Sequence, residues 1–499
     1  MNAPSRYLNS FIFISIPENK KENKMGIKKE VRAAGSTIPR EVGAGFSSFA
    51  TIVYVLAVQP AILSACGMPK EAVLTSTILC TVICTVGMAL WAKLPFVLST
   101  AMGTNAIFAF SIVLPGLATW QEALGMIFWS GIIFVVISFT PIRKKLVERI
   151  PAGIKDGLAP AIGIFLMMLG FGSSGMSMAG VVDGNFMFAD LKTPIAIAGM
   201  SCLLVTVFIY FYQRTTSKKI VRVPGAVLIG IFITTVVFMA CGFAPLPESV
   251  VALPPDPSPI VLQVDLVGAL RPGNWIFILI FFLGDFFSMT GTSVACGKKA
   301  GLWDDERDTM PGLDQAFKVD ALAMPVSALL GNSASTVFVE SAAGIEAGGR
   351  TRLTALSAAG FFTLALFFSP LFLAIPAAAS GVALIVVGFS MFMPVFDLDK
   401  IRQKAVGGDD RAEELPEGVV GRYSNLEKIP IIATIVLTPI INDFATALCL
   451  GLLFYAVFQV LFWVIDRFLK KPTPRSATPN VVTFALLAMA IIKMIATIQ

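Results

Sequence analysis

Long apolar runs alternate with short polar connections along almost the whole chain. Segments such as VLTSTILCTVICTVGMALWA (73–92) and IAIAGMSCLLVTVFIYFY (195–212) are continuous rather than alternating. Their length, roughly 17–25 residues, suits a helix crossing hydrocarbon, whereas barrel strands alternate over about ten residues. In order, the runs predict about seven spans, near 44–65, 72–92, 96–117, 121–141, 157–176, 193–213 and 224–243. The stretch LPESVVALPPDPSP (246–259) follows, and its prolines cannot sustain a helix. About seven more spans are expected near 274–295, 313–331, 334–348, 352–374, 377–396, 429–441 and 443–466. Peptide groups in lipid must be hydrogen-bonded internally, so the pattern predicts an all-α polytopic membrane protein of about 14 transmembrane spans.

Composition agrees. Of 499 residues, 56% are hydrophobic and 14% charged, with a mean hydropathy of +0.80, against about half and a quarter in soluble proteins. The net charge of +6 is no sign of nucleic-acid binding, because Lys and Arg sit between the apolar runs. They cluster at Lys28–Arg40, Lys93, Arg143–Arg149, Arg214–Arg222, Lys298–Arg307, Arg350–Arg352, Lys400–Lys404 and Arg467–Arg475, in alternate connections. The positive-inside rule then places both ends of the spanning region in the cytoplasm of a multi-pass cell (inner) membrane protein. FIFISI (11–16) is too short for a signal-peptide core, and Met25 is an alternative start. Residues 1–39 are expected to be a disordered cytoplasmic extension, and 467–499 a basic cytoplasmic tail with one more apolar segment.

Two sets of seven, an odd number, enter the membrane from opposite sides, so the reading is a 7+7 inverted repeat. Residues 40–243 form the first repeat, 244–273 a Pro-rich extracytoplasmic linker, and 274–466 the second repeat with a cytoplasmic loop at 397–428. In such folds substrate binds at mid-membrane between broken helices. The third spans of both repeats, LPFVLSTAMGTNAIFAF (94–110) and GNSASTVFVESAAGIEAGG (331–349), are short and rich in Gly, Ala, Ser and Thr. They are the expected half-helices of spans 3 and 10, with Asn105 and Glu340 at comparable depth.

Ionisable groups inside a membrane are costly, so each is a candidate for function. Asp285 lies in the eighth span, Glu340 in the tenth, and Asp443 in IINDFATA between the last two. Paired carboxylates suit a neutral heterocycle bearing several N–H donors. Each also has a structural reading: a carboxylate or Asn105 can cap a half-helix, and Asp443 suits a turn. Phe108, Phe110, Phe286 and Phe287 read mainly as packing. The seven cysteines lie in apolar segments and the chain has no histidine, so no metal site is expected. No nucleotide loop, nucleophile elbow or zinc motif occurs, which leaves no enzyme reading and no cofactor. Without histidine, a buried carboxylate, Asp285 or Glu340, is the expected proton carrier, with sodium open as the coupling ion.

The chain resembles the azaguanine-like purine permeases, the adenine, guanine and hypoxanthine branch of the nucleobase–cation symporter superfamily. The resemblance rests on REVGAGFSSFATIVYVLAVQPAIL (40–63), MGTNAIFAF (102–110), RIPAGIKDGLAPAIGIFLMMLGFGSSG (149–175), MTGTSVACGKKAGL (289–302), FKVDALAMPVSALLGNSASTVFVESAAGIEAGGRT (317–351) and LFFSPLFLAIPAAASGVALIVVGFSM (366–391). It implies that spans 1–4 and 8–11 form a core domain and spans 5–7 and 12–14 a gate domain. It also implies that Asp285, Glu340 and Asn105 hold the substrate. One departure adjoins them: where the family pattern reads D-x-F-D-T-x-G-T, this chain reads DFFSMTGT (285–292), with Ser288 at the second acid. Ser288 joins the expected binding set, its hydroxyl donating to Asp285. The proline common before the third-span Met-Gly is absent from STAMG (99–103).

The expected function is import of a purine nucleobase by proton symport. Alternatives are a same-fold carrier of xanthine, uracil or a small anion, and a non-transporting membrane receptor. The partners are the base and the lipid bilayer, with no nucleic acid; a homodimer is left open.

Overall fold

The computed structural model describes residues 26–140, 193–215, 226–247, 249–304 and 309–392, with short pieces within 160–188 and 432–461. Most of the expected fifth span, the loop 397–428, most of the last two spans, Asp443 and the tail lie outside the described residues.

Helices carry most of the described chain. Helix α1 covers Ile27–Ala33, inside the stretch expected to be disordered. Its Glu30 pairs with Arg352 at 2.9 Å, which ties the helix to a later span. Helix α2 (Ile38–Ile52) starts at extended Thr37 with Pro39 in its first turn, where a missing N–H costs nothing. It gives way at Val53 and Tyr54 to α3 (Val55–Ser64), which contains Pro60. Helix α4 (Lys70–Gly87) loosens into a π turn at Met88–Ala92 and stops at Lys93, which is left-handed. Helix α6 (Trp120–Ser138) opens with a reciprocal cap: Glu122 N–H donates to the Thr119 hydroxyl, and Thr119 N–H to the Glu122 carboxylate. Then come α7 (Pro194–Thr215), α8 (Ala226–Ala240), α9 (Trp275–Ala300), α10 (Leu313–Leu329), α12 (Arg352–Ala365), α13 (Ser369–Leu373) and α14 (Ala377–Phe392).

The two Gly/Ser-rich spans differ from the rest. In the first, strand β1 (Leu98–Thr100) leads into α5 (Met102–Ala106) and a π segment (Ile107–Val113). In the second, strand β4 (Ser335–Val337) leads into α11 (Ser341–Glu346). The strands pair antiparallel, with Leu98 opposite Val337, Ser99 opposite Thr336 and Thr100 opposite Ser335. An all-helical chain was expected; the strands arise because an interrupted span frees peptide groups that must find partners, and each satisfies the other's. A separate hairpin joins β2 (Ala179–Val182) and β3 (Asn185–Phe188).

Packing divides the described residues into two hydrophobic clusters. The larger draws on α2–α6 and α9–α12 with Ile231 of α8 and one side of α14 (Ala379, Ala383, Leu384, Val387), and the smaller joins α7 and α8 to the other side of α14. Small residues allow the close approaches. A Cβ on Gly45 would strike Ser357 and the Thr354 carbonyl on α12, and one on Gly131 would strike Pro325 and Met324 on α10. Outward-facing Leu204, Phe208 and Phe232 are more than 60% exposed, as side chains facing lipid are. Among the described residues, five helical stretches are long and apolar enough to cross a membrane: Ile38–Ser64, Lys70–Ala92, Trp120–Ser138, Pro272–Ala300 and Arg352–Leu373.

Candidate functional site

The paired strands and their short helices bring chemistry from distant parts of the sequence together. Helix α9 packs against α5, β4 and α11, while α3 packs against α5 and β1. Asn105 and Asp285 are fully buried, and Glu340 is half-buried at the start of α11. No hydrogen bond reaches either carboxylate oxygen of Asp285 or Oδ1 of Asn105 within 3.5 Å, the Thr336 hydroxyl near Asp285 being turned to Asp320 at 3.4 Å. Burying such atoms unpaired costs about 1–3 kcal/mol each, so three of them around one junction mark a place prepared for donors. Glu340 Oε1 accepts a hydrogen bond from the Tyr54 hydroxyl at 3.2 Å.

Ser288 is exposed, one turn along α9 from Asp285. It sits on an exposed stripe of α9, between Gly284 and Gly291, beside which nothing stands within 4 Å of a would-be Cβ. Asp285 is on the buried side of the same helix. The expected Ser288–Asp285 hydrogen bond is not formed: three residues along a helix leave the two side chains about 60° apart around the axis, with Asp285 on the buried flank of α9 and Ser288 on the exposed one. Phe108 is buried in the larger cluster, and Phe286 packs edge-to-face on Phe134 with ring centroids 5.7 Å apart. Arg350, expected as an anchor, donates to the carbonyls of Ile345 and Gly349 at 2.7 and 2.8 Å and so closes the end of α11.

Three buried polar residues were not foreseen. Asp320 of α10 accepts from Val337 N–H at 3.1 Å and the Thr336 hydroxyl at 3.4 Å, fastening β4. It lies inside the expected span 313–331, and the signal that could have found it was a carboxylate mid-way along an apolar helix. Gln59, before Pro60, is fully buried and receives the Asn105 amide on its Oε1. Glu41, at the start of α2, is fully buried and accepts from Arg350 N–H, Thr351 N–H and the hydroxyls of Thr351 and Thr354. Among the described residues no three Cys, Asp or Glu side chains gather as metal ligands do.

The fold is shared with solved transporters. The transmembrane domain of a cyanobacterial bicarbonate transporter superposes with a TM-score of 0.57 at 15% identity, covering 82% of this chain and 97% of that one. Murine solute carrier 26 family member A9, an anion transporter in its inward-facing state, gives 0.58 at 11% identity, covering 89% and 74%. These likenesses establish a helical membrane transporter fold, and fold alone does not name a cargo. In sequence, the chain is 34% identical to a putative permease of Methanocaldococcus jannaschii over 86% of this chain and 91% of the relative. It is 30% identical to a guanine/hypoxanthine permease of Bacillus subtilis (91% and 96%) and 33% identical to an adenine permease of Escherichia coli (72% and 79%). The family model Xan_ur_permease, described as the Permease family, matches residues 40–405. The chain belongs to the Permease family, in the purine permease branch of the nucleobase–ascorbate transporter superfamily.

Proposed function

We propose that the protein imports a purine nucleobase (adenine, guanine or hypoxanthine) across the cell membrane by proton symport. The observation that carries this reading is the set of buried, unpartnered acceptors on Asn105 and Asp285, beside the half-buried Glu340. A purine ring brings N–H and amino donors to such atoms, repaying the burial cost. Ser288, on the exposed stripe of α9, completes the binding set, and Asp285 or Glu340 carries the proton. Relatives named adenine and guanine/hypoxanthine permeases support the choice of cargo.

In this reading the two strand–helix units are the half-helices of spans 3 and 10 in a 7+7 inverted repeat of fourteen spans. The larger hydrophobic cluster holds the core domain and its contact with α14 and α8 of the gate, and the smaller lies within the gate, with the N-terminus in the cytoplasm. Movement of core against gate carries the base across. A second reading, a small-anion carrier, is favoured by the likeness to the bicarbonate transporter fold. Against it stands the charge of the site: 98–113 and 335–346 contain no Lys or Arg, and the site's acids are Asp285, Asp320 and Glu340.

Uptake of labelled purines, pyrimidines and bicarbonate into cells lacking their own permeases, with and without an uncoupler, tests both. Concentrative, uncoupler-sensitive purine uptake is expected. Bicarbonate uptake with no purine uptake overturns the reading.

A further inference from the structure

A chain of buried amides leads from a main-chain carbonyl to the unpartnered oxygen of Asn105. Ser76 donates its hydroxyl proton to the Leu330 carbonyl, an atom that can only accept. Ser76 Oγ therefore accepts from Asn332 Nδ2, at 2.6 Å. Asn332 is thereby oriented with Oδ1 toward Gln59, whose Nε2 donates to it at 3.0 Å and lies 3.5 Å from the Ser333 hydroxyl. The Thr77 hydroxyl, which donates to the Val73 carbonyl at 2.7 Å, lies 3.2 Å from the same Oδ1. Gln59 Oε1 is left facing Asn105 and accepts from its Nδ2, which also approaches Met102 Sδ at 3.9 Å. Every link is buried: Gln59, Ser76, Thr77, Asn105 and Asn332 are all fully inaccessible. An amide reversed at the Asn332, Gln59 or Asn105 step would set donor against donor or acceptor against acceptor in a dry interior, where an unmade bond is costly.

We propose that this relay sets the specificity of the site. The Leu330 carbonyl dictates the direction of each bond, Gln59 transmits it, and Asn105 is held presenting its carbonyl oxygen and withholding its NH2 group. Gln59 is thus a positioning residue. Helix α9, which carries Asp285, packs against α5; the junction offers the unpartnered oxygens of Asn105 and Asp285 as acceptors and selects bases that present hydrogen-bond donors. Exocyclic amino groups are preferred over hydrogen or oxo groups at the same ring carbon. The inference rests on the nucleobase reading above and deepens it.

The experiment is competition against labelled base uptake by adenine, guanine, hypoxanthine, 2,6-diaminopurine and unsubstituted purine, in wild type, Gln59→Met and Ser76→Ala. Gln59→Met keeps length and volume but lets the Asn105 amide turn over. Ser76→Ala cuts the far end of the relay, away from the ligand. Wild type should favour the amino-bearing bases; Gln59→Met should narrow that preference about tenfold, and Ser76→Ala should move it in the same direction. A merely structural role lowers uptake of every base by one common factor and leaves the ranking intact; that result in both variants overturns the proposal. If Gln59→Met fails to reach the membrane, the ranking in Ser76→Ala decides alone. Wild type that carries no purine instead overturns the proposed function. The relay is then judged on cytosine against uracil, which make the same amino-for-oxo exchange.

Discussion

The hydroxyl of Thr354 donates to the Glu41 carboxylate at 2.6 Å, joining the start of the first span to the first turn of α12. The same carboxylate accepts from Thr351 Oγ1 at 2.9 Å, Thr351 N–H at 3.2 Å and Arg350 N–H at 3.1 Å. It gathers the GGRT turn that follows α11, while the Arg350 guanidinium closes α11 from the other side. The half-helix that begins beside Glu340 is therefore held at its far end by a residue about 300 positions earlier in the chain.

Glu41→Ala removes the shared acceptor and leaves buried donors unpaired. The expected loss is about 3 kcal/mol or more, and Glu41→Gln, which keeps one acceptor oxygen, should lose about half as much. Thermal unfolding in detergent measures both against wild type. An alanine variant that melts with wild type would show that water replaces the carboxylate at no cost.

Gly45 and Gly43 lie in the same helix and should respond in opposite ways. A side chain at Gly45 meets Ser357 and the Thr354 carbonyl, whereas nothing lies near Gly43. Gly45→Val should force α2 from α12 and cost about 1–3 kcal/mol or more. Gly43→Ala should be neutral or stabilising by up to about 1 kcal/mol, because it stiffens an exposed helical position. Equal melting of the two variants would mean that α2 and α12 do not pack this closely.

The long spans were legible because their apolar runs are continuous and α2–α3, α4, α6, α9 and α12–α13 need little else to form. The broken spans were legible as composition, through their Gly, Ala, Ser and Thr, but their strands were not. A three-residue strand has no periodicity of its own, and β1 exists only because β4 lies beside it. Asp285, Asn105 and Glu340 stood out as polar residues in apolar surroundings. Asp320, Gln59 and Glu41 were not singled out: Gln59 precedes Pro60, Glu41 follows Arg40 outside the expected first span, and Asp320 lies two residues after Lys318. Ser288 was placed by its neighbours in sequence, and only the packing of the helix shows that it is exposed while Asp285, one turn away, is buried.

Tyr54 and Glu340 supply a graded test of the site. On the proposed reading Glu340→Ala abolishes uptake while membrane abundance persists, and Glu340→Gln keeps part of the binding because the amide still offers an acceptor. Tyr54→Phe removes only the donor that steadies Glu340 Oε1 and should raise KM several-fold with smaller change in maximal rate. Initial-rate uptake over a range of base concentrations separates the three. Near-normal kinetics in Glu340→Ala would remove this residue from the site.

Asp285→Asn tests coupling. The substitution keeps shape and one acceptor oxygen but cannot carry a proton. If Asp285 is the proton carrier, the variant should bind base and exchange it across the membrane yet fail to concentrate it. Moving one charge through 100 mV supplies about 2.3 kcal/mol, enough for roughly fifty-fold accumulation of a neutral base. Wild type should approach that ratio at such a potential, and the variant should settle near unity while internal and external base continue to exchange. Asp320→Asn is the contrasting variant. Asp320 is already engaged by Val337 N–H and Thr336, so its change should loosen β4 and lower stability before it alters the accumulation ratio. If Asp285→Asn still concentrates base, and an uncoupler still collapses that gradient, the proton travels on another acid. Glu340 is then the next to test, and the empty hydrogen-bonding capacity of Asp285 serves the base alone.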